Sequence, residues 1–343
     1  MIRVLGVDAG GAHIKTALAL HGKTLRLTPR RTYPYEIFRD PGRLETILAA
    51  IARRERPGAI ALTMTAELSD VFASRREGVR YILRAAAKTF AGIPWRVVDV
   101  SGELVPPARA RRWPMRVASA NWSATGRWLA PRVGAAIMVD IGSTTTDIIP
   151  LRGGRMAARG ATDHERLRHG ELLYMGYLRT HPASILPRVT LRGAEYPLCP
   201  EHFALMGDAY LALGVIHSRR YSAPTPDGRA KTPRAAASRL ARLVMSDYGD
   251  LGKDQTRQLA RALITKQVDL IAQAIRRVAR RERLTRAPLI VIGPMAEWFG
   301  TALAPKVTNP LTDTVDGVPA AMVDPASCAA ALMAEGEMFK GES

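Results

Sequence analysis

The sequence of 343 residues has only two cysteines, Cys199 and Cys328, and no apolar run long enough to cross a membrane. The two cysteines are far apart and lack the spacing of a metal site, so we expect them to be reduced thiols. The N-terminus has no basic stretch followed by an apolar segment, and a leader peptide is therefore not expected. Together these absences predict a cytoplasmic protein.

Two common nucleotide-binding motifs are absent as well. No Gly-x-Gly-x-x-Gly follows the first predicted strand, which argues against a dinucleotide-binding fold. The sequence also lacks the full Walker motif, Gly-x-x-x-x-Gly-Lys-Ser/Thr, which excludes that type of phosphate loop. A phosphate site in this chain must therefore be built in another way.

Acidic residues are few relative to basic ones, 31 against 50, and the formal net charge is +19. The arginines are spread along the chain, and the densest cluster, residues 276–283, lies on a predicted helix without the interleaved aromatic residues that stack on bases. We therefore expect the positive field to attract small polyanionic substrates, and no nucleic acid partner is predicted.

Strands that alternate with helices predict an α/β fold with mainly buried sheets. The length exceeds what a single hydrophobic core usually organises, and a strand–turn–strand pattern at the N-terminus restarts at Ala135. We therefore predict two like domains, residues 1–131 and 132–343. The second would contain an inserted hairpin within residues 184–200, followed by helices.

Two segments of similar design, VLGVDAGGAHIK and IMVDIGSTTTDII, carry the clearest functional signal. Each is an apolar run that ends at an aspartate, Asp8 or Asp140, followed by a turn of small residues and a second β-prone run. Backbone N–H groups of such turns can point into one concavity and bind a phosphate, while the aspartate holds a hydrated divalent cation, Mg²⁺, beside it. The turn residues assigned to phosphate binding are Gly10, Gly11, Gly142, Ser143, Thr144 and Thr145.

These two hairpins resemble the phosphate hairpins of the actin/sugar-kinase/Hsp70 superfamily. The resemblance implies two actin-like (ribonuclease H-like) domains with a ligand cleft between them, in which Asp8 and Asp140 flank a metal-bound phosphate and Lys15 supplies a positive charge. Kinases of this superfamily have a double-glycine adenosine turn near the end of the chain. Here the corresponding turn has Gly293 followed by Pro294, which favours a ligand smaller than a nucleotide and argues against ATP.

Longer strings narrow the resemblance, among them LTMTAELSDVFASRREGV, ASANWSATG and ATDHERLRHGELLYMGYLRT. They are similar to the hydantoinase/oxoprolinase-related branch and, within it, to the methanofuran-biosynthesis condensing enzymes, which include the tetrahydromethanopterin-linked C1-transfer pathway proteins. That family implies an ether-forming transferase. An aminomethylfuran methyl diphosphate would react with the phenol of tyramine, tyrosine or a glutamylated form, and pyrophosphate would leave.

A phenol with a pKa near 10 would benefit from a carboxylate as general base. Candidates from polar stretches beside apolar runs are Glu67, Asp70, Asp163 and Glu171. Further candidates are His13, Arg75, Arg76, Arg168 and Gly293 for the diphosphate, and Asp70 and Asn121 for the acceptor. For each of these carboxylates, helix capping or a surface ion pair is the structural alternative.

Two other functions share these features. The first is an ATP-dependent small-molecule kinase or a hydantoinase/oxoprolinase-like enzyme on the same fold. The second is a non-catalytic protein that binds a phosphorylated metabolite or nucleic acid. The long helices that we expect to be exposed would also allow a homodimer.

Overall fold

The computed structural model describes residues 2–337 and contains a seven-stranded sheet built from the first third of the chain. The strands run in the order β3-β2-β1-β5-β6-β7, and β4 pairs with β2. Their bounds are β1 Ile2–Ala9, β2 His13–His21, β3 Leu25–Leu27, β4 Arg31–Pro34, β5 Ala59–Met64, β6 Trp95–Val98 and β7 Leu104–Val105.

A second, five-stranded sheet has the order β10-β9-β8-β14, with β11 paired to β9, within the same described range. Its strands are β8 Ala135–Ile141, β9 Thr146–Arg152, β10 Arg155–Met156, β11 Leu172–Leu173 and β14 Leu289–Ile292. Two separate hairpins are formed by β12 Arg188–Leu191 with β13 Ala194–Pro197 and by β15 Thr314–Val315 with β16 Val318–Pro319. The first of these is the hairpin predicted within residues 184–200.

The two sheets repeat one topology. In each, an antiparallel hairpin (β1–β2 or β8–β9) is followed by a later strand that pairs in parallel with its first arm, β5 with β1 and β14 with β8. This repeat confirms the predicted α/β class and the restart at Ala135. The division at residues 131 and 132 stays a prediction.

Helices cover the sheets and arise where apolar residues recur every three or four positions. In α2, for example, Val79, Ile82 and Leu83 are buried on one face. The helices are α1 Arg43–Glu55, α2 Arg75–Thr89, α3 Pro107–Arg112, α4 Asn121–Val133, α5 Asp163–His169, α6 Pro182–Ile185, α7 Met206–Ala212, α8 Pro233–Arg242, α9 Tyr248–Arg281, α10 Ala296–Leu303 and α11 Pro325–Leu332. Gly252 interrupts α9 with a φ of 80°.

Helices α4 and α11 lie between the two sheets and share one apolar cluster with strands of both. Helix α11 approaches β1 so closely that a methyl group at Gly6 would overlap the backbone carbonyl of Ala326. The cluster also includes Met138 of β8 and Ile292 of β14. Because one core joins both sheets, the ends of β1 and β8 are held in a fixed relation to each other.

Two short helical segments lie outside the sheets' main covering helices. Ala320–Met322 form a 3-10 turn that leads into α11. Helix α3 begins with Pro107 in its first turn, where proline is tolerated. Among the described residues, no helix is long and apolar enough to cross a membrane.

Candidate active site

The first hairpin places Asp8 opposite Lys15 at its closed end. The two residues are register partners, and the Lys15 Nζ lies 3.6 Å from Asp8 Oδ2. Gly10 donates its N–H to the carbonyl of His13 at 3.0 Å, so the turn is closed by the backbone. Burial raises the pKa of Asp8 despite Lys15, and its Oδ1 has no hydrogen-bond partner in the described part of the chain. Asp8 therefore has a carboxylate oxygen available for a cation.

The second hairpin repeats this design around Asp140. Gly142 donates its N–H to the carbonyl of Thr145 at 2.9 Å, which closes the turn. Asp140 is the register partner of Asp147 on β9. Burial, and then the negative charge of Asp147, raise the pKa of Asp140 to about 7. The second turn thus also has an aspartate whose charge is unfavourable in the fold without a ligand.

The two hairpins are close enough for their charged groups to affect each other. Lys15 of the first hairpin lies near enough to lower the pKa of Asp140 on the second, and Arg30 lowers the pKa of both Asp8 and Asp140. Asp324, which caps α11, raises both pKa values from between the sheets. The aspartates therefore share one electrostatic environment, although they belong to different sheets.

The donor set fits a divalent cation only together with a phosphorylated ligand. Within residues 2–337, no group of three or more His, Cys, Asp or Glu side chains is arranged to hold a metal. Two carboxylates remain, Asp8 with its unpartnered Oδ1 and Asp140 with its raised pKa. Mg²⁺ is usually bound by one or two carboxylates, water and substrate phosphates, which is the set that this cleft can offer.

Glu67 lies directly beside the first hairpin. It follows β5 in the 3-10 turn Ala66–Leu68, and Thr65 donates its N–H to the carbonyl of Ala9 at 3.0 Å. Glu67 Oε1 accepts a hydrogen bond from Ser119 Oγ at 2.6 Å, whereas its Oε2 is buried and has no partner among the residues described. Burial raises the pKa of Glu67. A buried carboxylate with one unpartnered oxygen and a raised pKa is suited to accept a proton.

A chain of ion pairs connects Glu67 with the second hairpin. Arg75 Nη2 lies 3.4 Å from Glu67 Oε1 and 3.2 Å from Asp163 Oδ2. Asp163 Oδ1 lies 3.6 Å from Arg166, and Arg166 contacts Asp147 Oδ1 at 2.6 Å. Both oxygens of Asp163 are thus paired with arginines. Asp163 can orient the arginines, but it is a poorer candidate for the base than Glu67.

Helix capping explains the positions of Arg75 and Asp163 in this series of ion pairs. Ser74 caps α2 through a 3.2 Å bond from Glu77 N–H, which fixes Arg75 at the first helical position. Thr162 and Glu165 form a capping box on α5, which begins at Asp163. Both side chains therefore project from well-defined helix starts.

Glu171 has a different environment. Its carboxylate accepts the backbone N–H groups of Arg159 and Gly160 and pairs with Arg281. These partners occupy both oxygens, and the carboxylate joins the end of α9 to the second sheet. The arrangement indicates a structural role for Glu171.

Three other predicted residues are not brought to the hairpins by any contact. Asp70 and Arg168 are exposed, and neither makes an ion pair within the range that the structure describes. Asn121 begins α4 and is partly exposed. Their roles in substrate binding stay predictions.

A pocket of about 530 Å³ opens beside the second hairpin. Its lining is mainly apolar, with one cation and one carboxylate, and consists of Arg220, Gly293, Pro294, Met295, Ala296, Glu297, Trp298, Thr301 and Ala302. Gly293 brings it against Asp140, because a Cβ at this glycine would lie 3.0 Å from Asp140 Oδ1. The pocket is therefore next to the proposed phosphate site.

We expect Gly293→Ala to weaken the binding of pyrophosphate with Mg²⁺ at least about tenfold. Gly293 has a φ of 107°, and a Cβ would lie 2.5 Å from the carbonyl of Ile141, so Asp140 would be displaced. Gly317→Ala is the matched control, because Gly317 also has a positive φ of 74° but open space around its Cα. Equal pyrophosphate affinity of both variants in a calorimetric titration would contradict a role for this close contact.

Sequence reasoning missed four cations near the hairpins: Arg30, Arg179, Arg220 and Lys231. Each is one basic residue among many, and the sequence gives none of them a motif of its own. The string YMGYLRT contains Arg179, and its glycine, Gly176, is the one signal in the sequence of a close backbone contact at this point.

The sequence profile of the hydantoinase/oxoprolinase family matches residues 59–332. A Methanocaldococcus jannaschii protein named (4-{4-[2-(gamma-L-glutamylamino)ethyl]phenoxymethyl}furan-2-yl)methanamine synthase is 31% identical over 293 residues, which are 85% of this chain and 86% of that protein. A protein of the same name from Methanococcus vannielii is 34% identical over 157 residues, 46% of this chain and 70% of that protein. The ROK hexokinase of Thermus thermophilus covers 98% of the chain and is itself fully covered, at 16% identity and a TM-score of 0.44.

Proposed function

The chain belongs to the hydantoinase/oxoprolinase family, and we propose that it is a transferase of methanofuran-type cofactor biosynthesis. It joins an aminomethylfuran methyl diphosphate to the phenol of a tyramine, tyrosine or glutamyl-tyramine acceptor and releases pyrophosphate. The observation that carries this proposal is the similarity over most of the chain to synthases whose named product contains a phenoxymethyl-furan ether. Two opposed hairpins with Asp8 and Asp140 suit the diphosphate that such a reaction must release.

The hairpin turns bind the diphosphate. The N–H groups of Gly10 and Gly142 close the turns. The other backbone N–H groups of the two turns and the ammonium group of Lys15 approach the phosphate oxygens from opposite sides. Asp8 and Asp140 would hold Mg²⁺, which when bound neutralises charge on the leaving diphosphate. The two hairpins contribute to catalysis by positioning the diphosphate and by stabilising it as the leaving group, because an arylmethyl carbon ionises readily.

Glu67 acts as the general base. The bond between the furanylmethyl carbon and the phosphate oxygen breaks, and its electron pair remains with pyrophosphate. The phenol oxygen forms the new bond to that carbon while its proton passes to Glu67 Oε2, the carboxylate oxygen without a partner in the described structure. Ser119 and Arg75 hold the other oxygen and so aim Oε2.

The pocket beside Gly293 takes the aminomethylfuran ring. Its lining of Met295, Trp298 and alanines suits a small aromatic ring, and the Glu297 carboxylate suits the ammonium group. The acceptor then reaches the reacting carbon from the side of Glu67. Asn121 and Asp70 remain candidates for contacts to the acceptor. All substrates of the proposed reaction are small molecules.

Mixing the protein with an aminomethylfuran methyl diphosphate, a phenolic amine and MgCl₂ tests the function directly. Mass spectrometry should detect the ether, and pyrophosphate should appear in equal amount. Tyramine, tyrosine and glutamyl-tyramine are compared as acceptors in parallel reactions. If none of them yields an ether while the donor binds, the proposed reaction is wrong.

The ATP-dependent alternative is favoured by one feature, because the pocket next to Asp140 is large enough for more than a furan ring. Thermal melting separates the two functions. Pyrophosphate with Mg²⁺ should raise the melting temperature under the transferase proposal, and ATP should do no more than pyrophosphate. A larger shift with ATP than with pyrophosphate would favour the kinase-like or hydantoinase-like enzyme.

A further inference from the structure

Arg179 is held rigidly on the outer side of the second phosphate turn. The chain after β11 crosses that turn, and Arg179 donates its N–H to the carbonyl of Ser143 at 2.8 Å. Gly176 packs so tightly there that a methyl group would collide with the backbone of Ser143 and Thr144. Gln267 donates to the carbonyl of Gly176 at 2.9 Å and supports the segment from α9. The position of the Arg179 backbone is therefore fixed relative to the turn.

The guanidinium group of Arg179 has no anionic partner in residues 2–337. Its Nη2 is buried and makes no hydrogen bond within this range. Burying a cationic donor without a partner is costly, and such groups are normally paired. A ligand anion would supply the missing partner.

The positive charge of Arg179 also acts on the first hairpin. Burial lowers the pKa of His13, and the positive charges of Lys15, Arg179 and Lys231 lower it further, whereas the carboxylate of Glu36 opposes them. The positive charges of Lys15, Arg179 and Lys231 therefore act together on His13. Glu36 is itself paired with Arg39 at 3.0 Å, and Lys15 lies 3.6 Å from Asp8 Oδ2. Arg179 and Lys231, in contrast, make no ion pair among the described residues.

We propose that Arg179 binds the distal phosphate of the diphosphate. The proposal rests on the transferase function and adds a residue that grips the part of the leaving group farther from the reacting carbon. When the carbon–oxygen bond breaks, its electron pair stays on pyrophosphate. A planar guanidinium donates two N–H groups to the phosphate oxygens on which that charge spreads.

Calorimetric titration with inorganic pyrophosphate and with orthophosphate, both in MgCl₂, tests the subsite without the coupling reaction. We expect Arg179→Met to weaken pyrophosphate binding at least about tenfold and orthophosphate binding less than about threefold, since the proximal position remains intact. Arg179→Lys should recover part of the affinity. Arg111→Met removes an exposed arginine of α3 and should leave both affinities unchanged.

The outcomes distinguish this inference from the function on which it rests. Folding of each variant is checked by its melting temperature in the absence of ligand. If Arg179→Lys, or a folded Arg179→Met, binds pyrophosphate as tightly as the wild type does, Arg179 is not part of the subsite, although the transferase may stand on its product assay. If the wild-type protein binds no pyrophosphate and forms no ether, the proposed function fails and this inference fails with it.

Discussion

Asp140→Asn and Asp8→Asn are each expected to reduce ether formation by at least about a thousandfold while the protein stays folded. An amide at either position cannot neutralise a divalent cation, so the leaving diphosphate would lose both the cation and its alignment. Loss of one such electrostatic contribution typically costs several kcal/mol of transition-state stabilisation. The rate is measured as pyrophosphate released per enzyme at saturating donor and acceptor.

Asp140→Asn should at the same time stabilise the protein in EDTA. The fold raises the pKa of Asp140 from 3.8 to about 7, so it favours the neutral carboxyl. The stability that this group contributes is full below pH 4 and is lost as the pH rises through 7. An amide stays neutral, and the variant should gain about 1–2 kcal/mol at pH 8, a difference that shrinks toward zero near pH 4.

Asp254→Asn is the matched control, because Asp254 is an exposed carboxylate on α9. Its replacement should alter neither the rate nor the pH dependence of unfolding. Lower activity together with higher stability is expected when a residue that serves the function destabilises the fold. Full activity in both hairpin variants would show that the two aspartates do not hold a cation on which the reaction depends.

The hairpins could be predicted from the sequence because the residues that form each of them lie close together in the chain. An apolar run, an aspartate and a turn of small residues lie within a dozen positions, and the strands pair through register that this order dictates. The same locality explains the correct prediction of the hairpin β12–β13.

The chemistry of individual carboxylates could not be predicted, because it depends on partners from distant parts of the chain. Glu67 and Glu171 look alike in sequence, each acidic residue lying next to apolar ones. Ser119, 52 positions away, leaves one oxygen of Glu67 without a partner, whereas Arg281, 110 positions away, helps to occupy Glu171 fully. Asp324 reads as an ordinary helix cap, and only the packing of α11 between the sheets brings its charge to both hairpins.

Glu67→Gln is expected to lower kcat by about a hundredfold to ten-thousandfold at neutral pH, the usual contribution of a general base. The wild-type rate should fall as the pH drops through the pKa of Glu67, which burial places above its ordinary value of 4.5. The variant has no such acidic limb. Its residual rate should instead rise with pH toward the phenol pKa near 10, because only the phenolate then reacts. The profiles are measured as kcat/KM for the acceptor.

Two comparisons separate a base from a residue that merely supports the fold. A ring-fluorinated acceptor, whose phenol ionises at lower pH, should restore more activity to Glu67→Gln than to the wild type, and a structural defect would not respond in this way. Asp163→Asn should keep the acidic limb but shift it to lower pH, since Asp163 raises the pKa of Glu67. Glu103→Gln, an exposed control, should leave the profile unchanged. An unaltered acidic limb in Glu67→Gln would assign the proton transfer to another group, because a side chain that cannot ionise cannot produce that limb.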